Sequence, residues 1–144
     1  TSAYFLNFVF ATIGLTTNVA NFFKDLNFGP YQTLTLIIIF YLVLGTFMET
    51  LSLMVATVSV FTPILVAQGF DPVWFGIMVI LMVEAAMLTP PVGINLFVVQ
   101  SVRGCGSPAD VTRGTMPFLL TLLVGVVVLT IFPSLALFLP KLLN

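Results

Sequence analysis

The segment over residues 72–102 carries a single charged residue and two consecutive prolines in an otherwise apolar run. As one straight helix, its 31 residues would measure about 46 Å, whereas the hydrocarbon core of a bilayer is about 30 Å thick. Pro90 and Pro91 remove two backbone donors, and Gly93 adds conformational freedom. The segment therefore predicts two half-helices joined by an unwound stretch over residues 89–93, with a simple proline kink as the alternative.

The composition indicates that lipid surrounds most of the chain. Among 144 residues, 60% are hydrophobic and 6% are charged, and the mean hydropathy is +1.22. A soluble domain cannot cover its surface with so few charges, so the sequence predicts an all-α membrane protein embedded in a lipid bilayer. The net charge of −1 and the absence of a basic run argue against a nucleic-acid partner. Without histidine and with Cys105 as the single cysteine, an internal disulfide and a Cys/His metal site are excluded.

Two further segments are long enough to cross a membrane once. Residues 2–23 and residues 115–139 are each predicted to form one helix. The first contains several asparagines and threonines, which are typical of a helix that hydrogen-bonds to other helices or contacts a substrate. Residues 103–114, with the sequence "RGCGSPADVTRG", are predicted as a polar loop in water.

Residues 31–67 are too many for one crossing and contain no hydrophilic linker between two crossings. The only interruption is "GTFMET", which begins at Gly45. We expect a re-entrant helical hairpin whose turn lies at membrane depth, where irregular backbone is tolerated if protein buries it or if it lines a wet cavity. Two full crossings with a very tight turn are the alternative.

The chemistry of the chain does not favour catalysis. Glu49 beside the hairpin turn and Glu84 before the prolines are carboxylates in apolar surroundings, so each is expected to face the protein interior or water. A paired-acid hydrolase lacks a suitable aspartate motif, and no nucleophile–base set exists without histidine. We therefore expect a protein that is not an enzyme.

Interrupted helices offer a different chemistry. The last carbonyls and first amides at a helix break lose their partners, and free carbonyl oxygens bind hard cations such as sodium. A re-entrant hairpin and a broken helix in one bundle are the parts expected of an ion-coupled secondary transporter. Side-chain oxygens at the two interruptions come from Thr46, Thr50, Thr89 and Asn95. The alternative is a structural or channel-forming membrane module, in which the breaks serve packing and polar residues line a passive pore.

Several motifs resemble a known family. They are "LGTFMETLSLMVATVSVFTPIL", "GFDPVWFGIMVI", "LTPPVGINLFVVQSV", "RGTMPFLLTLLV" and "FPSLALFLP", in this order over residues 44–140. In these motifs, the sequence is similar to the C-terminal part of the large membrane subunit of tripartite ATP-independent periplasmic (TRAP) transporters.

The resemblance implies a multi-pass protein of a bacterial or archaeal inner membrane. Such a protein would import organic acids of the C4-dicarboxylate or sugar-acid type, driven by sodium as coupling ion and without another cofactor. Its partners would be a small membrane subunit and a periplasmic substrate-binding protein. The large subunit would contain two inverted repeats and move as an elevator, and this chain would supply most of the second repeat.

The resemblance also implies a set of site residues. Sodium would be bound mainly by backbone carbonyls of Gly45, Ala86, Thr89 and Val92, with the Thr89 hydroxyl as an extra ligand. Relatives commonly carry glycine at the position of Ala86, and the additional methyl group here bears on how closely the hairpin turn approaches. The site would be supported by the hairpin turn, by the glutamates as hydrogen-bond acceptors, and by Asn95 as a cap or brace of the second half-helix; these residues are Thr46, Glu49, Glu84, Gly93 and Asn95.

Overall fold

The computed structural model describes residues 5, 8–9, 12–26, 28–90 and 92–142. Within these residues the regular structure is helical and no strand is present, which confirms the predicted all-α fold. The helices are α1 (Leu15–Asp25), α2 (Pro30–Gly45), α3 (Thr50–Ala67), α4 (Pro72–Met87), α5 (Ile94–Arg103), α6 (Pro108–Ile131) and α7 (Ser134–Leu142).

Helices α2 and α3 form a helical hairpin with a short turn at residues 46–49, which we call the hairpin turn. The Tyr41 hydroxyl and Thr57 Oγ1 lie 2.7 Å apart and join the two helices in the buried interior. Near the open end of the hairpin, Gln68 Nε2 donates to Thr33 Oγ1 at 3.0 Å. Because both hydrogen bonds join α2 to α3, they stabilise the hairpin at its middle and at its open end.

Helices α4 and α5 are separated by residues 88–93, which we call the helix break. Leu88 and Thr89 still donate their amides to Ala85 and Ala86, in a short final turn. Gly93 then adopts a left-handed conformation with φ 48°, from which α5 starts. Proline cannot continue the backbone ladder and glycine accepts positive φ, so the interruption follows from the "TPPVG" sequence.

The polar segment 103–114 is mostly helical, in contrast to the expected loop. Gly104 ends α5 with φ 65°, and α6 already begins at Pro108. Ser107 Oγ accepts the amide of Asp110, and the Asp110 carboxylate accepts the amide of Ser107. This capping box, with proline at the first helical position, starts the helix seven residues before the expected position of 115.

The two terminal helices are also divided differently from the sequence expectation. The helix expected over residues 115–139 is interrupted between α6 and α7 at Phe132 and Pro133, because proline has no amide to donate. The helix expected over residues 2–23 contains a turn at Ile13 and Gly14, where Gly14 has φ 67°, and much of its first half lies outside the described residues. A left-handed residue cannot belong to a right-handed helix, so α1 begins at Leu15.

Helix α4 lies at the centre of the bundle and contacts α2, α3, α5, α6 and α7. Its start lies beside the start of α2, where Phe70 stacks on Trp74 and meets Tyr31 edge-on. Its end lies beside the end of α2, so these two helices run in the same direction. Helix α6 runs in the opposite direction, because Trp74 Nε1 donates to the Leu129 carbonyl at 2.9 Å. The hairpin turn and the helix break consequently lie at the same level of the bundle.

Two helices in the described part of the chain, α3 and α6, are long and apolar enough to cross a membrane by length and composition. Within its apolar window α6 is only 6% buried, so it is not the core helix of a soluble domain. Helices α2 and α4 are apolar but have 16 residues each, about 24 Å at 1.5 Å per residue.

Candidate functional site

The hairpin turn packs directly against the last turn of α4. Gly45 and Ala86 are both buried, and a Cβ atom placed on Gly45 would lie only 2.5 Å from Ala86 Cβ. Nearby, Thr50 Oγ1 donates to Met87 Sδ at 2.9 Å, which links the first residue of α3 to the last residue of α4. The structure thus brings together Gly45 and Ala86, which belong to the two separate interruptions expected to form one site.

The backbone of the helix break is partly paired. The Ala86 carbonyl accepts the amide of Thr89 at 3.0 Å, and the Ala85 carbonyl accepts the Thr89 hydroxyl at 2.7 Å. A hydroxyl that donates its proton keeps its lone pairs, so Thr89 Oγ1 can still accept or bind a cation. Thr89 is half-buried.

Other carbonyl oxygens at the two interruptions have no such partner. Within the described residues, no backbone amide donates to the carbonyls of Gly45, Thr89 or Val92. A carbonyl that accepts no amide can be satisfied by water or by a hard cation. Among the same residues no group of three or more acidic, histidine or cysteine side chains could hold a metal ion. Carbonyl and hydroxyl oxygens are the ligands that hard cations prefer, whereas transition metals favour nitrogen and sulfur ligands.

The two glutamates have different surroundings. Glu49 is the N-cap of α3, and its carboxylate oxygens accept the amides of Leu51 and Ser52, each at 2.9 Å. Glu84 lies within α4 with an exposed side chain, and no hydrogen-bond partner for it is found in the described part of the chain. The expected stabilisation of a break through hydrogen bonds is thus seen at the hairpin turn, and is not seen at Glu84.

The remaining predicted residues lie around the two interruptions. Thr46 is buried in the hairpin turn, where its hydroxyl donates to the Val43 carbonyl at 2.8 Å. Gly93 is the N-cap of α5, which has no side-chain cap. Asn95 is therefore not the cap that the sequence suggested; it is half-buried in the first turn of α5. Val92 is half-buried in the break.

Sequence reasoning missed Met87 and the Tyr41–Thr57 pair. Met87 lies directly before the break and accepts the Thr50 hydroxyl, but nothing in an apolar helix distinguishes this methionine from its neighbours. Tyr41 and Thr57 are polar residues in apolar helices, and polar residues of that kind usually hydrogen-bond to a neighbouring helix. That signal was present in the sequence, although it does not say which two residues pair.

Comparison with known proteins decides the family. Residues 1–135 match the family model described as "Tripartite ATP-independent periplasmic transporter, DctM component". The chain belongs to this family. The match covers the hairpin, the helix break and α6, so the elements that build the site are elements of a TRAP large permease.

Curated relatives agree with this assignment. The C4-dicarboxylate TRAP transporter large permease protein DctM of Pseudomonas aeruginosa is 33% identical over 92% of the chain and 31% of the relative. The sialic acid TRAP transporter large permease protein SiaM of Vibrio cholerae is 39% identical over 86% of the chain and 29% of the relative. An ectoine TRAP transporter large permease protein, TeaC of Halomonas elongata, is 34% identical over 77% of the chain and 26% of the relative.

The chain spans about a third of the length of the curated relatives it matches most fully. These comparisons give no support for the expected placement in their C-terminal part. The chain is therefore assigned to the TRAP large permease family as a whole, and not to one end of it.

Proposed function

We propose that this chain forms one repeat of the transport domain of a TRAP large permease, and that a sodium ion bound between the hairpin turn and the helix break is coupled to uptake of an organic anion. The observation that carries this proposal is the contact of Gly45 with Ala86, together with carbonyls on both sides of it that accept no backbone amide within the described residues. Both interruptions then contribute to one cation site.

The helix lengths support a hairpin that enters the membrane and returns. Helix α2 has 16 residues, about 24 Å, which is shorter than a hydrocarbon core of about 30 Å. Helix α6 has 24 residues, about 36 Å, and it extends past the hairpin turn to run beside α5. Because α6 reaches farther than the hairpin does, the turn would lie inside the bilayer and not at its far surface.

In this arrangement the positive charge of a bound cation would attract the oxygen atoms at the hairpin turn. The carbonyls of Gly45, Thr89 and Val92 and the Thr89 hydroxyl would replace part of its water shell. Bound between α2 and α4, it would hold the hairpin turn against the break, and its release would free the turn to move. The contact between the end of α4 and the hairpin turn would thereby depend on whether the ion is bound. An elevator movement of the whole repeat would carry substrate with it.

Relatives whose names specify C4-dicarboxylate and sialic acid transport support an organic acid as the proposed substrate. We therefore propose an organic acid as substrate, delivered by a periplasmic substrate-binding protein, with a small membrane subunit beside the permease in an inner membrane. The alternative of a structural or channel-forming module is not favoured by the comparisons. Since the relatives are transporter permeases, we also propose that the protein is not an enzyme.

Uptake into proteoliposomes tests the proposal. The full-length protein containing this chain is reconstituted with its small subunit, and accumulation of labelled C4-dicarboxylate and sialic acid is measured under an inward sodium gradient. We expect uptake of one substrate that requires both sodium and the matching binding protein. A potassium gradient of equal size is the control. Uptake that proceeds equally without sodium would contradict the coupling, and uptake that ignores the binding protein would contradict the tripartite assembly.

A further inference from the structure

Gly45 and Ala86 leave room for one methyl group between the hairpin turn and the end of α4. Carbon atoms in contact lie about 3.5–4.0 Å apart, whereas a Cβ on Gly45 would lie 2.5 Å from Ala86 Cβ. It would also lie 3.4 Å from Leu53 Cδ2 of the same hairpin. Ala86 therefore already fills the space that a side chain at position 45 would need.

The neighbours of this contact leave little freedom for adjustment. The buried residues here are Gly45, Ala86, Leu53 and Ala85. Both residues of the pair lie at helix ends, Gly45 as the last residue of α2 and Ala86 in the last turn of α4. The Cβ of alanine cannot rotate away, so a clash here must move backbone. A movement of this kind would separate the hairpin turn from the helix break, since the Tyr41–Thr57 hydrogen bond joins α2 to α3 farther down.

We propose that the Gly45–Ala86 pair sets the separation between the hairpin turn and the helix break, and thereby the size of the cation site between them. This inference rests on the proposed function. Ala86 is in this account a positioning residue: its methyl group acts as the spacer, whatever its carbonyl binds. A larger separation favours a larger ion, and a smaller separation favours a smaller one.

The pair makes a reciprocal exchange possible. Gly45→Ala adds a second methyl and should push the turn away, Ala86→Gly removes the spacer, and the double variant moves the single methyl to the other side. Gly76→Ala is the matched control, because a Cβ on this glycine of α4 meets nothing within 4 Å. The four variants differ from the wild type by one methyl group or by its position.

The experiment measures the thermal stability of the full-length protein during titration with sodium and with lithium, at constant ionic strength with choline. For Gly45→Ala we expect the half-saturating sodium concentration to rise about tenfold or more, which corresponds to about 1.4 kcal/mol. The double variant should return to within about threefold of the wild type. Gly76→Ala should titrate as the wild type does.

The ratio of lithium to sodium affinity distinguishes a spacer, which sets the size of the cation site, from a contact that only stabilises the fold. Ala86→Gly should shift the ratio of lithium to sodium affinity towards lithium, and Gly45→Ala should shift it towards sodium. A loss of general stability alone would leave this ratio unchanged. The Ala86→Gly variant removes an atom without adding one, so it tests the ratio even where Gly45→Ala does not fold.

The outcomes distinguish the inference from the function on which it rests. If the wild type gains no stability from sodium or lithium, the cation site and the spacer are both overturned. If the wild type responds but Ala86→Gly keeps the wild-type ion ratio, the spacer alone is overturned. The spacer is likewise overturned if the double variant titrates no better than Gly45→Ala.

Discussion

Glu49 and Glu84 are the carboxylates nearest to the hairpin turn and the helix break, and the backbone holds only the first of them. Glu49 accepts two amides at the start of α3. Glu49→Ala should therefore lower the free energy of unfolding, because the helix loses its N-cap acceptor. Equilibrium unfolding in detergent measures this change.

Glu84→Ala is the matched control, since it removes the same carboxylate from an exposed position. We expect it to change the free energy of unfolding by less than about 0.5 kcal/mol, as surface substitutions usually do. An equal loss of stability in the two variants would mean that the N-cap does not determine the effect of Glu49→Ala.

Prediction from the sequence was uneven at the residue scale. The types of residue at the two interruptions could be recognised, because proline, glycine and carboxylates in an apolar run are rare and costly. The positions of their side chains could not. Glu49 and Glu84 look equivalent in the sequence, yet one begins a helix and the other lies on an exposed helical face. Asn95 was expected to cap or brace α5, but the N-cap of that helix is Gly93.

At the scale of elements, the break between α4 and α5 depends on Gly93. A Cβ at this position would lie 2.9 Å from Leu96 Cδ1 and 3.1 Å from the Met87 carbonyl oxygen, and φ is 48°. Gly93→Ala should cost about 1–2 kcal/mol from the left-handed conformation, in addition to the clash. Equilibrium unfolding in detergent measures the cost.

Gly114→Ala provides the comparison for that substitution. Gly114 lies in α6 with no neighbour within 4 Å of an added Cβ. Alanine is the better helix former, so this variant should be stabilised by roughly 0.5–1 kcal/mol. A Gly93→Ala variant as stable as the wild type would show that the break does not require the left-handed residue.

The sequence predicted the elements better than their ends. The hairpin and the broken helix follow from length, because apolar runs of that size cannot remain straight helices in a bilayer. The start of α6 was misplaced, because charged residues were counted as loop although Ser107 and Asp110 form a capping box that starts a helix. Pro133 was overlooked inside an apolar run, so α6 and α7 were expected as one helix.

At the scale of the whole molecule, the packing of α4 brings the hairpin turn and the helix break together. Helix α4 lies at the centre of the bundle, and its buried end meets the turn of the hairpin. Neither interruption alone would form a site, since each offers only a few carbonyls. That they meet could not be deduced from spacing along the chain, because residues 45 and 86 are brought together by the parallel packing of α2 and α4.

The central claim is that this meeting point binds sodium, and ion-dependent stability tests it most directly. The melting temperature of the full-length protein is measured in sodium, potassium and choline chloride at equal ionic strength, for the wild type, Thr89→Val and Thr89→Ser. We predict a saturable rise in sodium alone. Thr89→Val, which lacks the hydroxyl, should need about tenfold more sodium, and Thr89→Ser should behave nearly as the wild type does. Equal melting temperatures of the wild type in all three salts would contradict the account.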